Sequence, residues 1–337
     1  MGSNPIGNAM PVPFSVMDSP QEKRIIRASP GPEGKNLRLD CWLAARFTYR
    51  SRAEWQSAIR SGEIRLNGAE TRPARVLRGD EIIDFQLPDR QEPSVRTDYR
   101  ILADFPQYTV LDKPGNLPVH PAGCFFHHTL LMLLQKQYGQ MFAVNRLDRE
   151  TSGTVLLART PKAAARLAAA LSEPGVAKKY LVYVHGCFPA GRMRAAGWLS
   201  PDPESVVRKK RRFTFQKPDS PDCETCDTEF LRLHHNCLFS KLECVLHTGR
   251  LHQIRATLFS LGFPIVGDKL YGLDDQIFDR FSDGRMTESD KKTLIVDRQA
   301  LHACKLRMTD PFDGVEKTFS APVPAELTDL ERILFPG

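Results

Sequence analysis

Apolar residues recur along the chain with two different periods, and each period marks a kind of element. Leu39, Leu43 and Phe47 return every fourth residue, one face of a short helix. Ser51 and Glu54 form a capping box ahead of Trp55 and Ile59, which continue as a second helix, and Gly62 is placed to stop it. Ile64 and Leu66 alternate as a strand, Asn67-Gly68 signals a hairpin turn, and Gly79-Asp80 precedes a strand over 81–85. Further along, strand-like runs occupy 108–111, 154–158, 180–185 and 242–246. Helix-like runs occupy 161–171, with Thr160 as cap and Pro161 at the first position, and 251–261, stopped by Gly262. In the latter, Leu251, Ile254, Leu258 and Leu261 make the expected buried stripe.

Strands do not alternate regularly with helices, so the fold class is α+β rather than a doubly wound parallel sheet. The Pro-, Gly- and Ser-rich opening shows no period, and a flexible extension is expected over 1–34. A small module follows at 35–90, a linker at 91–98, and one large domain at 99–337.

Composition is ordinary for a globular chain of 337 residues, with 41% hydrophobic and 26% charged. No apolar stretch is long enough to span a bilayer. Eight cysteines without a secretion signal fit a reducing compartment, so a cytoplasmic protein is expected. The net charge of +7 is concentrated. Between Lys35 and Gly79 ten basic residues, Arg46, Arg50 and Arg52 among them, face four acidic ones, an excess of +6. Arginine's planar fork suits phosphate, so RNA is the expected partner.

Four clusters can carry chemistry. Asn145-Arg146-Leu147-Asp148-Arg149-Glu150-Thr151-Ser152-Gly153 is a polar loop between strands, where Asp148 is either turn chemistry or a reactive carboxylate held by Arg146 and loop amides. Thr248-Gly249-Arg250-Leu251-His252-Gln253-Ile254-Arg255 leads to Gly267-Asp268. His252 and Arg255 lie three apart, and a positive charge at a helix start implies a nearby anion. Tyr180 shares a strand face with Val182 and Val184, and is either a core aromatic or a stacking platform for a base. Asp112-Lys113-Pro114-Gly115, with Pro118-Val119-His120-Pro121 behind it, fixes a rigid turn.

Taken together and in this order, these clusters resemble the RluA-type family of pseudouridine synthases over about residues 98–337. The small module over 37–85 resembles the S4-type RNA-binding domain. The resemblance implies a catalytic domain built on a mixed, mostly antiparallel sheet with a central cleft. It implies site-specific isomerisation of uridine in ribosomal or transfer RNA, with no metal or organic cofactor. It places the essential aspartate at Asp148, the active-site tyrosine at Tyr180, the arginine paired with the aspartate at Arg255, and an arginine that holds the displaced nucleotide at Arg146. Arg250 and His252 are further expected RNA contacts. Asn145 and Thr257 stand where the family commonly has His.

The basic run Arg208-Lys209-Lys210-Arg211-Arg212 is followed by Phe213 and Phe215, and a phosphate contact through Arg208, Lys209 and Lys210 is expected. The lone Cys223-x-x-Cys226 pair is too little for a zinc site. A monomer is expected. Competing assignments are a non-catalytic RNA-binding or ribosome-assembly factor, and a glycosidase using Asp148 and Glu150, which sit too close together to flank a sugar.

Overall fold

The computed structural model describes residues 25–47, 51–86, 92–122, 124–207 and 209–336. The described residues form two compact units, a small one within 25–93 together with 122–126, and a large one within 94–121 and 127–336.

In the small unit, β1 (Ile25–Ala28) leads through a single helical turn, α1 (Gly31–Gly34), into α2 (Leu39–Arg46) and α3 (Arg52–Arg60). The strands β2 (Ile64–Leu66), β3 (Ala69–Glu70) and β4 (Ile83–Gln86) follow. They pair antiparallel in the order β1-β4-β2-β3. The capping box forms: Ser51 Oγ accepts the Glu54 amide, and the Glu54 carboxylate accepts the Ser51 amide. Asn67 and Gly68 both take positive φ, 52° and 78°, which lets a two-residue turn follow the strand twist. Leu39, Leu43, Trp55, Ile59, Ile64 and Ile83 close the core. Residues 1–24 lie outside the described chain, but the flexible extension expected over 1–34 is corrected at its end. Ile25–Ala28 is a strand, with Arg27 paired to Asp84 at 2.9 Å.

The Arg excess of this unit is partly turned inward. Asp40, with no exposed surface, accepts the Arg38 fork at 3.0 Å twice, Arg52 at 3.1 Å and Gln56 at 2.6 Å. The bonds from Arg38 hold its carboxyl well below the usual range against the opposing pull of burial. Arg46 is exposed beside the Phe47 ring. Arg50 lies outside the described residues.

The large unit begins with β5 (Arg100–Asp104), β6 (Tyr108–Lys113), α4 (Leu130–Tyr138), β7 (Phe142–Ala143), β8 (Ser152–Ala158), α5 (Pro161–Ala170) and β9 (Ala177–His185). It continues with β10 (Arg192–Pro201), β11 (Arg211–Thr214), β12 (Glu224–His235), β13 (Phe239–Leu246), α6 (Gln253–Ser260), α7 (Gln276–Ser282) and α8 (Glu288–Leu294). It ends with β14 (Leu301–Thr309), β15 (Glu316–Ser320) and α9 (Ala325–Leu334). One mixed sheet runs β11-β10-β12-β13-β9-β14-β8-β6-β5, with β15 on β14 and β7 on β8. Among the described residues its one parallel pair joins β14 to β8. β8 is buried at every residue, so both of its faces are covered. α5 starts where the sequence places it, the Thr160 hydroxyl accepting the Ala163 amide at 3.1 Å. α9 contributes Leu327, Leu330 and Leu334, one face of a helix, to the core under β9 and β13.

The expected linker over 91–98 is shorter than anticipated. Residues 94–98 belong to the large unit, where Arg96 reaches Glu326 at 2.9 Å. The expected single buried stripe of α6 is also corrected. Gln253 to Leu258 are buried consecutively while Leu251 is exposed, so the helix is enclosed rather than laid on a surface.

Candidate active site

Three segments converge on Asp148. Its loop joins β7 to β8, and the sheet order β9-β14-β8 places Tyr180 of β9 one strand away from the β8 side of that loop. α6 follows β13, which pairs with β9, and so delivers its first turn to the same place.

The loop is fastened from below. Lys113, fully buried, donates to the carbonyls of Pro114, Leu117 and Arg149 at 2.9, 2.8 and 3.2 Å. The rigid turn around Pro114 is thereby tied to the residue after Asp148. Arg298 donates to the carbonyl of Glu150 and the hydroxyl of Ser152, both at 3.1 Å, and pairs with Glu326 at 3.1 Å. Gly153 has φ +118°, and a Cβ there would lie 2.3 Å from the Ala303 carbonyl, so only glycine fits.

The start of α6 is fixed as firmly. The Gln253 amide oxygen accepts from Thr248 Oγ1 and the Arg250 amide, both at 2.9 Å. Its nitrogen donates to the Asp227 carbonyl and to Thr228 Oγ1. Arg255 then projects between two carboxylates. Its Nε and Nη2 form a fork on Asp268 at 2.6 and 2.9 Å, and Nη1 donates to Asp148 Oδ2 at 2.7 Å. Asp268 also accepts the amides of Leu270 and Tyr271 at 2.9 Å. These are the anions that a cation at a helix start requires. Gln299, held on Thr151 Oγ1 at 2.6 Å, adds a weaker bond to Asp148 Oδ2 at 3.4 Å.

Burial alone would raise the Asp148 carboxyl, but Arg255, with His252 and Gln299, outweighs it and holds the group down to about 2. The guanidinium loses hydration by burial and regains more from Asp268 and Asp148, so it stays charged. His252 is pushed down to about 4, first by burial and then by Arg255, and is neutral at pH 7. Tyr180 is half-buried between two parts of the core. Burial first, and Asp148 second, push its hydroxyl upward, so it stays a neutral phenol. A carboxylate ionised at neutral pH, a fixed cation on one of its oxygens and an aromatic face beside it can perform nucleophilic or base chemistry at an electron-poor carbon.

The structure thus brings Asp148, Arg255, His252 and Tyr180 together. Arg146 is exposed on the same loop, but the carboxylate is held by Arg255 and Gln299 rather than by Arg146 as the loop sequence suggested. Arg146 and Lys209 both act electrostatically on His120, which brings those segments near one another. Arg250 is exposed, donating to the Thr225 carbonyl at 3.1 Å and pairing with Glu224 at 3.4 Å.

In the basic run, Arg208 lies outside the described residues and Lys209 is exposed. Lys210 is a correction: it is buried, paired with Asp275 at 3.3 Å and Asp202 at 3.9 Å, with its ammonium over the Phe259 ring. It fastens the run to the domain and is not offered to a phosphate. Glu150 is spent on Lys269 at 2.8 Å and Arg149 at 3.0 Å, which removes the second carboxylate a glycosidase needs.

The roles of Asp268, Tyr271 and Gln299 escape sequence reasoning. The one available signal was Arg255 itself, a cation at a helix start that demanded a partner. Asn145 bonds the β8 backbone, to Leu156 N and Thr154 O. Thr257 Oγ1 is buried without a partner among the described residues, and nothing in the structure explains it.

A family model described as RNA pseudouridylate synthase matches residues 107–260. Ribosomal large subunit pseudouridine synthase D of Xanthomonas campestris pv. campestris is 33% identical over 311 residues, 88% of this chain and 88% of the relative. Pseudouridylate synthase RPUSD2 of Homo sapiens is 32% identical over 232 residues, 68% of this chain but 41% of the relative, so the chain spans less than half of that protein. In fold, human RNA Pseudouridylate Synthase Domain Containing 1 matches with a TM-score of 0.53 at 23% identity, over 69% of this chain and 87% of that one. The chain belongs to the RluA-type family of RNA pseudouridine synthases.

Proposed function

We propose that the large unit converts specific uridines of structured RNA, ribosomal or transfer, into pseudouridine, with Asp148 as the reacting carboxylate. The observation that carries this is Asp148 kept ionised, at about 2, by a guanidinium that Asp268 locks in place. The N1–C1′ bond breaks, the uracil turns, C5 bonds to C1′, the C5 proton is lost and N1 takes one proton up. Atoms are conserved and no oxidation level changes, so the residues named can serve without a metal or organic cofactor. A carboxylate can attack the sugar or take a proton, and the same group assists the reverse step. The base must first leave its stack, at a cost of a few kcal/mol. A ring such as Tyr180 offsets part of that cost, since stacking contributes about 1–3 kcal/mol.

In this reading the site opens on a central cleft, with Arg146, Arg250 and Lys209 meeting phosphates at its rim. The small unit acts as an S4-like RNA-binding module through Arg46, the outer face of Arg52, and Arg50. The protein works as a cytoplasmic monomer. Release of tritium from RNA carrying 5-tritiated uridine tests the reaction, and mapping pseudouridine in total RNA with and without the gene finds the position. RNA binding without release on any cellular RNA would establish the alternative, a non-catalytic RNA-binding or assembly factor.

A further inference from the structure

The two oxygens of Asp148 are not equivalent. Oδ2 accepts from Arg255 at 2.7 Å and from Gln299 at 3.4 Å. Among the described residues no hydrogen bond ends on Oδ1, which instead faces His252 Nε2 across 3.9 Å. That is too long for a direct hydrogen bond.

The orientation of His252 is built. Its backbone takes φ +56° at the start of α6, an uncommon conformation for a residue with a side chain. Its Nδ1 lies 3.0 Å from Tyr271 Oη, and that oxygen already accepts the Arg211 amide at 2.8 Å. Tyr271 is fully buried, so its own proton must be satisfied inside the protein, and Nδ1 is the acceptor in reach. The neutral ring therefore carries its proton on Nε2, pointing toward Asp148. A donor and an acceptor 3.9 Å apart leave room for one oxygen at roughly 2.8 Å from each, provided that oxygen both accepts and donates.

Resting on the proposed reaction, we infer that His252 and Asp148 Oδ1 together clamp the 2′-hydroxyl of the target nucleotide. Inside an RNA strand the 3′- and 5′-oxygens are esterified, and the 2′-hydroxyl is the sugar group that both donates and accepts. His252 donates to it and Oδ1 accepts from it, which sets C1′ beside the carboxylate. The histidine is thus a specificity-determining residue that distinguishes ribose from deoxyribose at the reacting position.

The test uses the full chain and one RNA hairpin containing the uridine found by mapping, made with uridine or with 2′-deoxyuridine at that position. The wild type should prefer uridine by about tenfold or more in kcat/KM, the worth of a hydrogen bond to a charged group. His252→Asn keeps a residue that tolerates positive φ, but its shorter side chain leaves its amide short of the Nε2 position. It should lower kcat/KM on uridine about tenfold and leave the deoxy substrate nearly unchanged, erasing the preference. His252→Gln, whose amide nitrogen can take the place of Nε2, should restore most of it. An equal loss on both substrates in His252→Asn, or a wild type blind to the 2′-group, overturns the clamp while leaving the reaction standing. A wild type that isomerises no uridine in any RNA overturns the underlying assignment and the clamp with it.

Discussion

Arg255→Lys keeps the charge and removes the geometry, so it separates the two. The guanidinium now serves two carboxylates at once, with three charge-assisted bonds at 2.6, 2.9 and 2.7 Å. A lysine ammonium is a single point donor and cannot span both. Asp268 is fully buried and tied to two backbone amides, so the ammonium settles there, and Asp148 loses its partner. Charge-assisted bonds contribute about 1.5–3 kcal/mol each, so losing one or two costs about 2–5 kcal/mol of stability. The effect on Asp148 has a definite sign. Holding its carboxyl at about 2 rather than 3.8 favours the ionised form by about 2 kcal/mol. In the wild type that contribution is fully present above 3.8 and is lost as pH falls through about 2. Without the guanidinium, burial dominates and raises the carboxyl above its ordinary value, so the acid limb of the rate moves upward by roughly two pH units or more. Initial rates of tritium release across the acid range, with chemical denaturation alongside, measure both effects. At neutral pH kcat/KM should fall about a hundredfold, because the carboxylate is no longer aimed. A variant within about threefold of the wild type, its acid limb unmoved, would show that the fork is ornamental and would refute the reasoning.

Asp148→Asn should abolish turnover, by at least about a thousandfold, while RNA affinity stays within about threefold, as filter binding would report. Arg46→Ala in the small unit should weaken binding of all RNAs alike and reduce the slope of log affinity against log salt by about 0.7–0.9. An unchanged slope would mean that Arg46 meets no phosphate. Gly153→Ala forces a side chain into φ +118° and onto the Ala303 carbonyl. It should cost about 3 kcal/mol and lower the calorimetric midpoint by about 6 °C or more.

What the sequence disclosed and what it hid divide along one physical line. The capping box at Ser51 and Glu54, the Asn67-Gly68 turn and the Thr160-Pro161 helix start were legible because each is satisfied by atoms within a few residues. β1 was hidden because four residues carry no period of their own, and their partner strand is 57 residues away in chain. α6 was misjudged for the complementary reason. A period finds the boundary between wet and dry faces, and a helix enclosed on nearly all sides has none, so Gln253 and Thr257 are buried although they lie off the apolar stripe.

Charge was the hardest feature to interpret, and the site explains why. In sequence, Lys210 and Arg255 are both cations near other cations. One is closed off by Asp275, 65 residues on, and the other by Asp148, 107 residues back. No local rule separates a cation that awaits phosphate from one already neutralised at that range; the difference is which carboxylates the fold brings within 4 Å. Arg255 has a local mark that Lys210 lacks, a place in the first turn of a helix, where a bare positive charge is disfavoured. The same argument bears on Arg146, Lys209 and Arg46. Each is exposed and stands away from any helix start, so nothing local demands a protein partner for it. All three charges are exposed, and under the proposed function they are the ones that would meet the backbone of an RNA.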